Sequence, residues 1–80
     1  MYKPNPQSAF RVKFDFRVDF TNGGHVQGED FLLDIEGNDI SDDVLKSMLV
    51  DAMNLAKAGK VTIFKKQIVQ RGEHDDAYSN

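Results

Sequence analysis

Cysteine is absent from the 80 residues, so no disulfide and no thiolate metal site can staple the chain. Proline occurs twice, at Pro4 and Pro6, both ahead of the first patterned segment. No apolar run approaches the ~20 residues of a membrane-spanning helix. The start, Met1 to Pro6, lacks the apolar stretch of a signal peptide or anchor. An excess of positive charge is missing too. Ten Lys and Arg stand against 13 Asp and Glu, for a net charge of −3, which argues against nucleic acid or an anionic membrane as the main partner. These absences leave a single domain, read as cytoplasmic, that must be held by packing alone. A chain this short buries only about 60–65% of the surface its unfolded form exposes, so a second copy would help to stabilise it.

What is present is a pattern. From Phe10 to Phe20 every even position is apolar and every odd position is charged. Successive side chains of a strand point to opposite faces, so this stretch is one long strand with an apolar face and a charged face. Thr21-Asn22-Gly23-Gly24 follows as a hairpin turn. A two-residue turn at Asn22-Gly23 makes opposed residue numbers sum to 45, and one at Gly23-Gly24 makes them sum to 47. Both place Phe31, Leu33 and Ile35 on the apolar face. Sums of 44 or 46 do so only if a bulge corrects them. In the simple register His25, Gln27 and Glu29 oppose Phe20, Val18 and Phe16, Val26 is out of phase, and Gly28 is a candidate bulge.

Ser41 is a good helix N-cap, Asp42 and Asp43 suit the first turn, and Ile40 can pack on Leu45 as a hydrophobic staple. Val44, Leu45, Met48, Leu49, Ala52, Leu55 and Ala56 form a helical stripe, with Gly59 at its end. Lys60 to Arg71 reads as a third strand in which Val61, Ile63 and Val69 share one phase and Phe64 and Ile68 the other, so either both faces are partly covered or a bulge near Lys65-Lys66 switches the phase. The expected fold is α+β: a ββαβ order, a three-stranded sheet in the order 2-1-3, and one helix on one face with a right-handed crossover. Residues 1–8 are expected to be a flexible lead-in, 9–71 the domain and 72–80 a flexible polar tail. A helix of about 17 residues spans about 26 Å, against about 37 Å for an eleven-residue strand. Part of the apolar face at Phe16, Val18 and Phe20 is therefore expected to be left uncovered.

Candidate chemistry is sparse. Asp34, Glu36, Asn38, Asp39, Asp42 and Asp43 crowd one stretch, but the calcium-loop pattern needs Gly where Asp39 stands and a helix where a strand precedes, so turn and capping chemistry explains them better. His25 sits beside a turn and His74 in the tail, neither with a nucleophile and an orienting acid beside it. Asn22-Gly23-Gly24 lacks the Lys-Ser/Thr and the helix start of a phosphate loop. Arg11, Lys13 and Arg17 alternate with Asp15 and Asp19 on a face without the aromatics of an RNA-binding sheet. Lys60, Lys65, Lys66 and Arg71 read as protection of an edge strand.

The runs Phe20-Thr21-Asn22-Gly23-Gly24 and Phe31-Leu32-Leu33-Asp34-Ile35-Glu36-Gly37-Asn38-Asp39-Ile40-Ser41-Asp42 resemble a set of small bacterial single-domain proteins of unassigned function. The resemblance covers residues 10–64. Some of those proteins carry a cyclase label shared with metal-dependent formamidase-like hydrolases. The cyclase pattern is His-x-Gly-Thr-His-x-Asp, and Gly23-Gly24-His25-Val26 does not supply it, so no functional residue carries over. At most the label implies an accessory role beside such an enzyme.

The function expected from these observations is a small non-enzymatic protein-interaction module that self-associates or binds another protein. Its candidate contact residues are Phe16, Val18, Phe20, Met48, Leu49 and Met53. No catalytic residue, metal ligand or cofactor is assigned. The alternatives are an accessory subunit or small cyclase- or hydrolase-type enzyme using His25, with Glu29 beside it, and nucleic-acid binding through the charged sheet face.

Overall fold

The alternating stretch forms β1 (Phe10–Phe20), the central strand of a three-stranded sheet in the computed structural model, which describes residues 3–70. The tail expected at 72–80 lies outside the described residues. β2 (His25–Ile35) and β3 (Ala58–Gln70) pair with β1 on either side, both antiparallel, and α1 (Asp42–Ala52) lies between them in sequence. This is the α+β, ββαβ fold with strand order 2-1-3. The even residues of β1 supply half of the core. Val12, Phe14, Phe16 and Val18 are buried, with Leu33 and Ile35 of β2 and Leu45 and Leu49 of α1 closing over them.

The hairpin register is 45 for only half its length. Phe10 opposes Ile35 and Phe14 opposes Phe31, but Phe16 opposes Gly28 and Asp19 opposes His25, a sum of 44. The turn is the cause. Phe20 N–H donates to the Gly24 carbonyl and Gly23 N–H to the Phe20 carbonyl, so the loop holds three residues, with Gly23 at φ 102°. A three-residue loop closed by a residue at positive φ is the next commonest hairpin after the two-residue type. The odd loop shifts the register by one, and a bulge at Glu29-Asp30, with Asp30 at φ 55°, shifts it back before Phe31. The bulge thus lies just beyond Gly28. It also puts Val26 opposite Val18 on the apolar face and turns His25 to the charged face beside Asp19, not toward Phe20.

Gly28 opposes Phe16 because nothing larger fits. A Cβ there would stand 2.7 Å from Cε1 of the Phe16 ring. The Phe16 ring meets Phe31 edge-on at 5.4 Å between centroids, and Phe31 meets Phe14 at 5.8 Å. β3 has its own bulge between Gln67 and Phe64, where Lys65 takes φ 53°. It brings Val61, Ile63 and Ile68 to the apolar face and Phe64 and Val69 to the charged one. The phase switch near Lys65-Lys66 is this bulge.

α1 starts as its sequence indicates. Ser41 caps it, accepting from Val44 N–H at 3.3 Å. It ends earlier than Gly59. Asn54 takes φ 54°, its N–H donates to the Asp51 carbonyl, and Leu55 N–H donates to Val50. Those two bonds are a Schellman cap with asparagine in the left-handed position. The helix therefore has 11 residues, about 16 Å at ~1.5 Å per residue. Gly59 serves a different purpose: in β3, a Cβ on it would lie 3.0 Å from the Asp19 carbonyl oxygen.

Hydrogen bonds tie residues 5–8 to the end of the sheet. Asn5 N–H donates to Asp34 Oδ2 at 2.7 Å, and Asn5 Oδ1 accepts from Gln7 N–H. The buried Ser8 hydroxyl lies 2.6 Å from the carbonyl oxygens of both Phe10 and Ile35, donating its single proton to one at a time.

Candidate functional site

The sheet has two ends with different finishes. At the hairpin end, α1 has already stopped, and residues 53–57 run on as non-helical chain toward Ala58, which opposes Phe20. The Lys57 carbonyl accepts from Thr21 N–H at 2.9 Å and ties this segment to the hairpin. Met53 and Leu55 pack against the core from it and are half-buried, as are Phe20 and Val26. The charges around them are mixed in sign. Lys60 pairs in register with Asp19, and the Arg17 guanidinium, which hydrogen-bonds Asp19 at 3.0 Å, is the main cause holding that carboxyl below its usual 3.8, with weaker help from His25 and Lys60. A shallow groove of about 600 Å³ between α1 and β3, lined by Lys46, Val50, Asp51, Lys60 and Val61 among others, continues this surface.

Two contact residues expected at this end are not available to a partner. Phe16 is 3% exposed and Val18 is fully buried. Residues 53–58 cover what the short helix cannot, and Val26 and Gly28 close the other side. Leu49 is also fully buried, under α1. Phe20, Met48 and Met53 keep partial exposure, but they are not together, because Met48 faces the opposite end.

At that opposite end a cleft of about 610 Å³ opens between the lead-in, the end of β2 and the first turns of α1. Its apolar surface comes from Ile40, Val44 and Met48, and its carboxylates from Asp34, Glu36 and Asp39, with Lys3 the one cation among the described lining residues. Asp34 is held by Asn5 N–H, and Asp39 accepts from Ile40 N–H at 2.8 Å. Val44, a member of the helical stripe, is 54% exposed. Across the start of α1, the Lys66 ammonium donates to the Ile40 carbonyl and to Asp42, both at 2.8 Å. That hydrogen bond is the main cause holding the Asp42 carboxyl below 3.8.

The remaining candidates do not converge. Neither cleft is lined by His25 or Glu29. Among the described residues no three His, Asp or Glu side chains are placed to share a metal ion, and the acidic stretch from Asp34 to Asp43 is spread over a strand end, a turn and a helix start. On the outer sheet face Lys13 pairs with Asp30, Arg17 with Asp19 and Lys65 with Asp15, so these cations are locally balanced, and Phe64, 48% exposed, is the one strongly exposed large apolar residue there among the described residues. No described helix is long and apolar enough to cross a membrane. Sequence reasoning missed the cleft because Lys3 and Asn5 had no visible reason to return to Asp34.

No family model matches the chain, and no curated protein or solved structure is similar enough to count as a relative.

Proposed function

We propose that this chain is a non-enzymatic protein-interaction module that self-associates through the hairpin end of its sheet. The observation that supports this is the half-finished cover there: beyond Ala52 the apolar face is roofed by non-helical chain, and Phe20, Val26, Met53 and Leu55 stay half-buried. A domain of this size without disulfides gains stability by burying such residues in an interface. The mixed-sign groove of Lys46, Asp51 and Lys60 suits a two-fold contact, in which each patch meets its own copy and opposite charges can pair.

Light scattering across a dilution series tests the reading. The wild type is expected at twice the 9.0 kDa of one chain, and Phe20→Asp at the monomer mass with an unchanged circular dichroism spectrum. Met53→Lys, in the non-helical segment, gives an independent second variant should Phe20→Asp unfold. A wild-type monomer at every concentration, or a dimer that survives both substitutions, would overturn it.

A further inference from the structure

We infer that the cleft at the far end of the sheet is a separate docking site, for a short partner-protein segment that carries an apolar residue beside Lys or Arg. The cleft combines two features that interfaces use together, an apolar floor and a charged rim. Ile40, Val44 and Met48 form the floor, and Val44 is more than half exposed. Asp34, Glu36 and Asp39 form the rim, with Lys3 the one cation among the described lining residues. The carboxylates of Asp34 and Asp39 are oriented by backbone N–H donors, so the rim is set before a ligand arrives.

Charge decides the occupant. A second copy of the chain placed here by a two-fold axis would bring acid against acid. The chain's own tail carries Glu73, Asp75 and Asp76 and would meet the same repulsion. Nucleic acid is excluded by sign. A cationic segment gains from the rim and, through one apolar side chain, from the floor. The volume of about 610 Å³ is in the range of sites that take a few side chains.

The test is an amide-shift titration of the isotope-labelled full chain with three short synthetic peptides: alternating Leu and Arg, alternating Leu and Glu, and alternating Ser and Arg. The Leu–Arg peptide is expected to shift the amides of Gly37, Asp39, Val44 and Met48 selectively, with binding that weakens as salt rises. The other two are expected to leave them in place. Val44→Asp, at an exposed position, and the triple variant Asp34→Asn, Glu36→Gln, Asp39→Asn should each weaken the Leu–Arg peptide by about tenfold or more. The proposal fails if the Leu–Glu or Ser–Arg peptide shifts these amides as well as the Leu–Arg peptide does, or if no peptide shifts them. It fails also if the same amides move with protein concentration alone, because a second copy then fills the cleft. Phe20→Asp should leave peptide binding unchanged, which separates this site from the self-association surface.

Discussion

The two ends of β1 carry the same alternation and finish differently. At the lead-in end, Phe10 to Phe14 keep one register with β2, Ser8 closes the last strand carbonyls, and the apolar face is sealed by Leu33, Ile35 and Leu45. At the hairpin end the register is offset by one, the helix has stopped, and the cover is non-helical chain with half-buried residues. Since β1 is equally apolar at both ends, the difference comes from its neighbours: the loop of odd length and the asparagine cap at Asn54. The hairpin end is half-finished and mixed in charge, which is what the proposed self-association rests on. At the other end a sealed core is flanked by a cleft whose lining carries Asp34, Glu36 and Asp39 beside Lys3.

Truncation should separate the ends most strongly. Leu45→Ala removes a fully buried side chain from the sealed end and should cost about 2–5 kcal/mol, measured by urea unfolding. For a chain of this size that is a large part of the total, about 0.05–0.15 kcal/mol per residue. Met53→Ala removes a half-buried side chain and should cost about 1 kcal/mol in the monomer. If the hairpin end is an interface, the cost of Met53→Ala rises with protein concentration, because the variant also loses dimer affinity, while the cost of Leu45→Ala does not change. Equal costs at the two positions in dilute solution would erase the contrast.

Gly28→Ala probes the offset register itself. The new Cβ would meet the Phe16 ring at 2.7 Å, and the ring has little room, being 3% exposed and in contact with Phe31. The expected cost is about 1–3 kcal/mol by thermal or urea unfolding. A neutral result would mean that β2 slides at its hairpin end.

Much of this was readable beforehand, and the misses have identifiable causes. The Phe10–Phe20 alternation marks β1 as one long strand, and the two phases within β3 leave open a bulge near Lys65-Lys66 or cover on both faces, of which the structure shows the bulge. The out-of-phase Val26 was the signal that the hairpin started in register 44, but Asn22-Gly23 favours a two-residue turn, and the polar His25, Gln27 and Glu29 offered no apolar match to choose between loop lengths. Asn54 looked like one more polar residue of a helix face, because Leu55 and Ala56 continued the stripe beyond it. Only asparagine's tolerance of the left-handed conformation hinted at the stop. The acidic cleft depends on Asn5 meeting Asp34, 29 residues away, which no local pattern encodes.

Acid offers the gentlest way to compare the ends, since each has one exposed aspartate whose carboxyl is held below 3.8: Asp19 by Arg17 at the hairpin and Asp42 by Lys66 at the helix start. A lowered folded-state value means that the unfolded chain takes up the proton first. The stabilisation is therefore complete above 3.8 and is lost as pH falls through each folded value. Both pairs are exposed to solvent, so the effects are smaller than those of any core change and shrink with salt. Arg17→Met should remove the acid-dependent part at the hairpin, and Lys66→Met the part at the helix start. Amide exchange localises each: faster exchange near Asp19 and Phe20 for the first, and near Val44 and Leu45 for the second. Lys66 also holds the Ile40 carbonyl, so its loss should loosen the helix start even above the carboxylate range, where loss of Arg17 leaves the β1 ladder intact. If Lys66→Met changes exchange only below 3.8, Lys66 contributes as a charge alone, and the cleft beside it is shaped without its bond to Ile40.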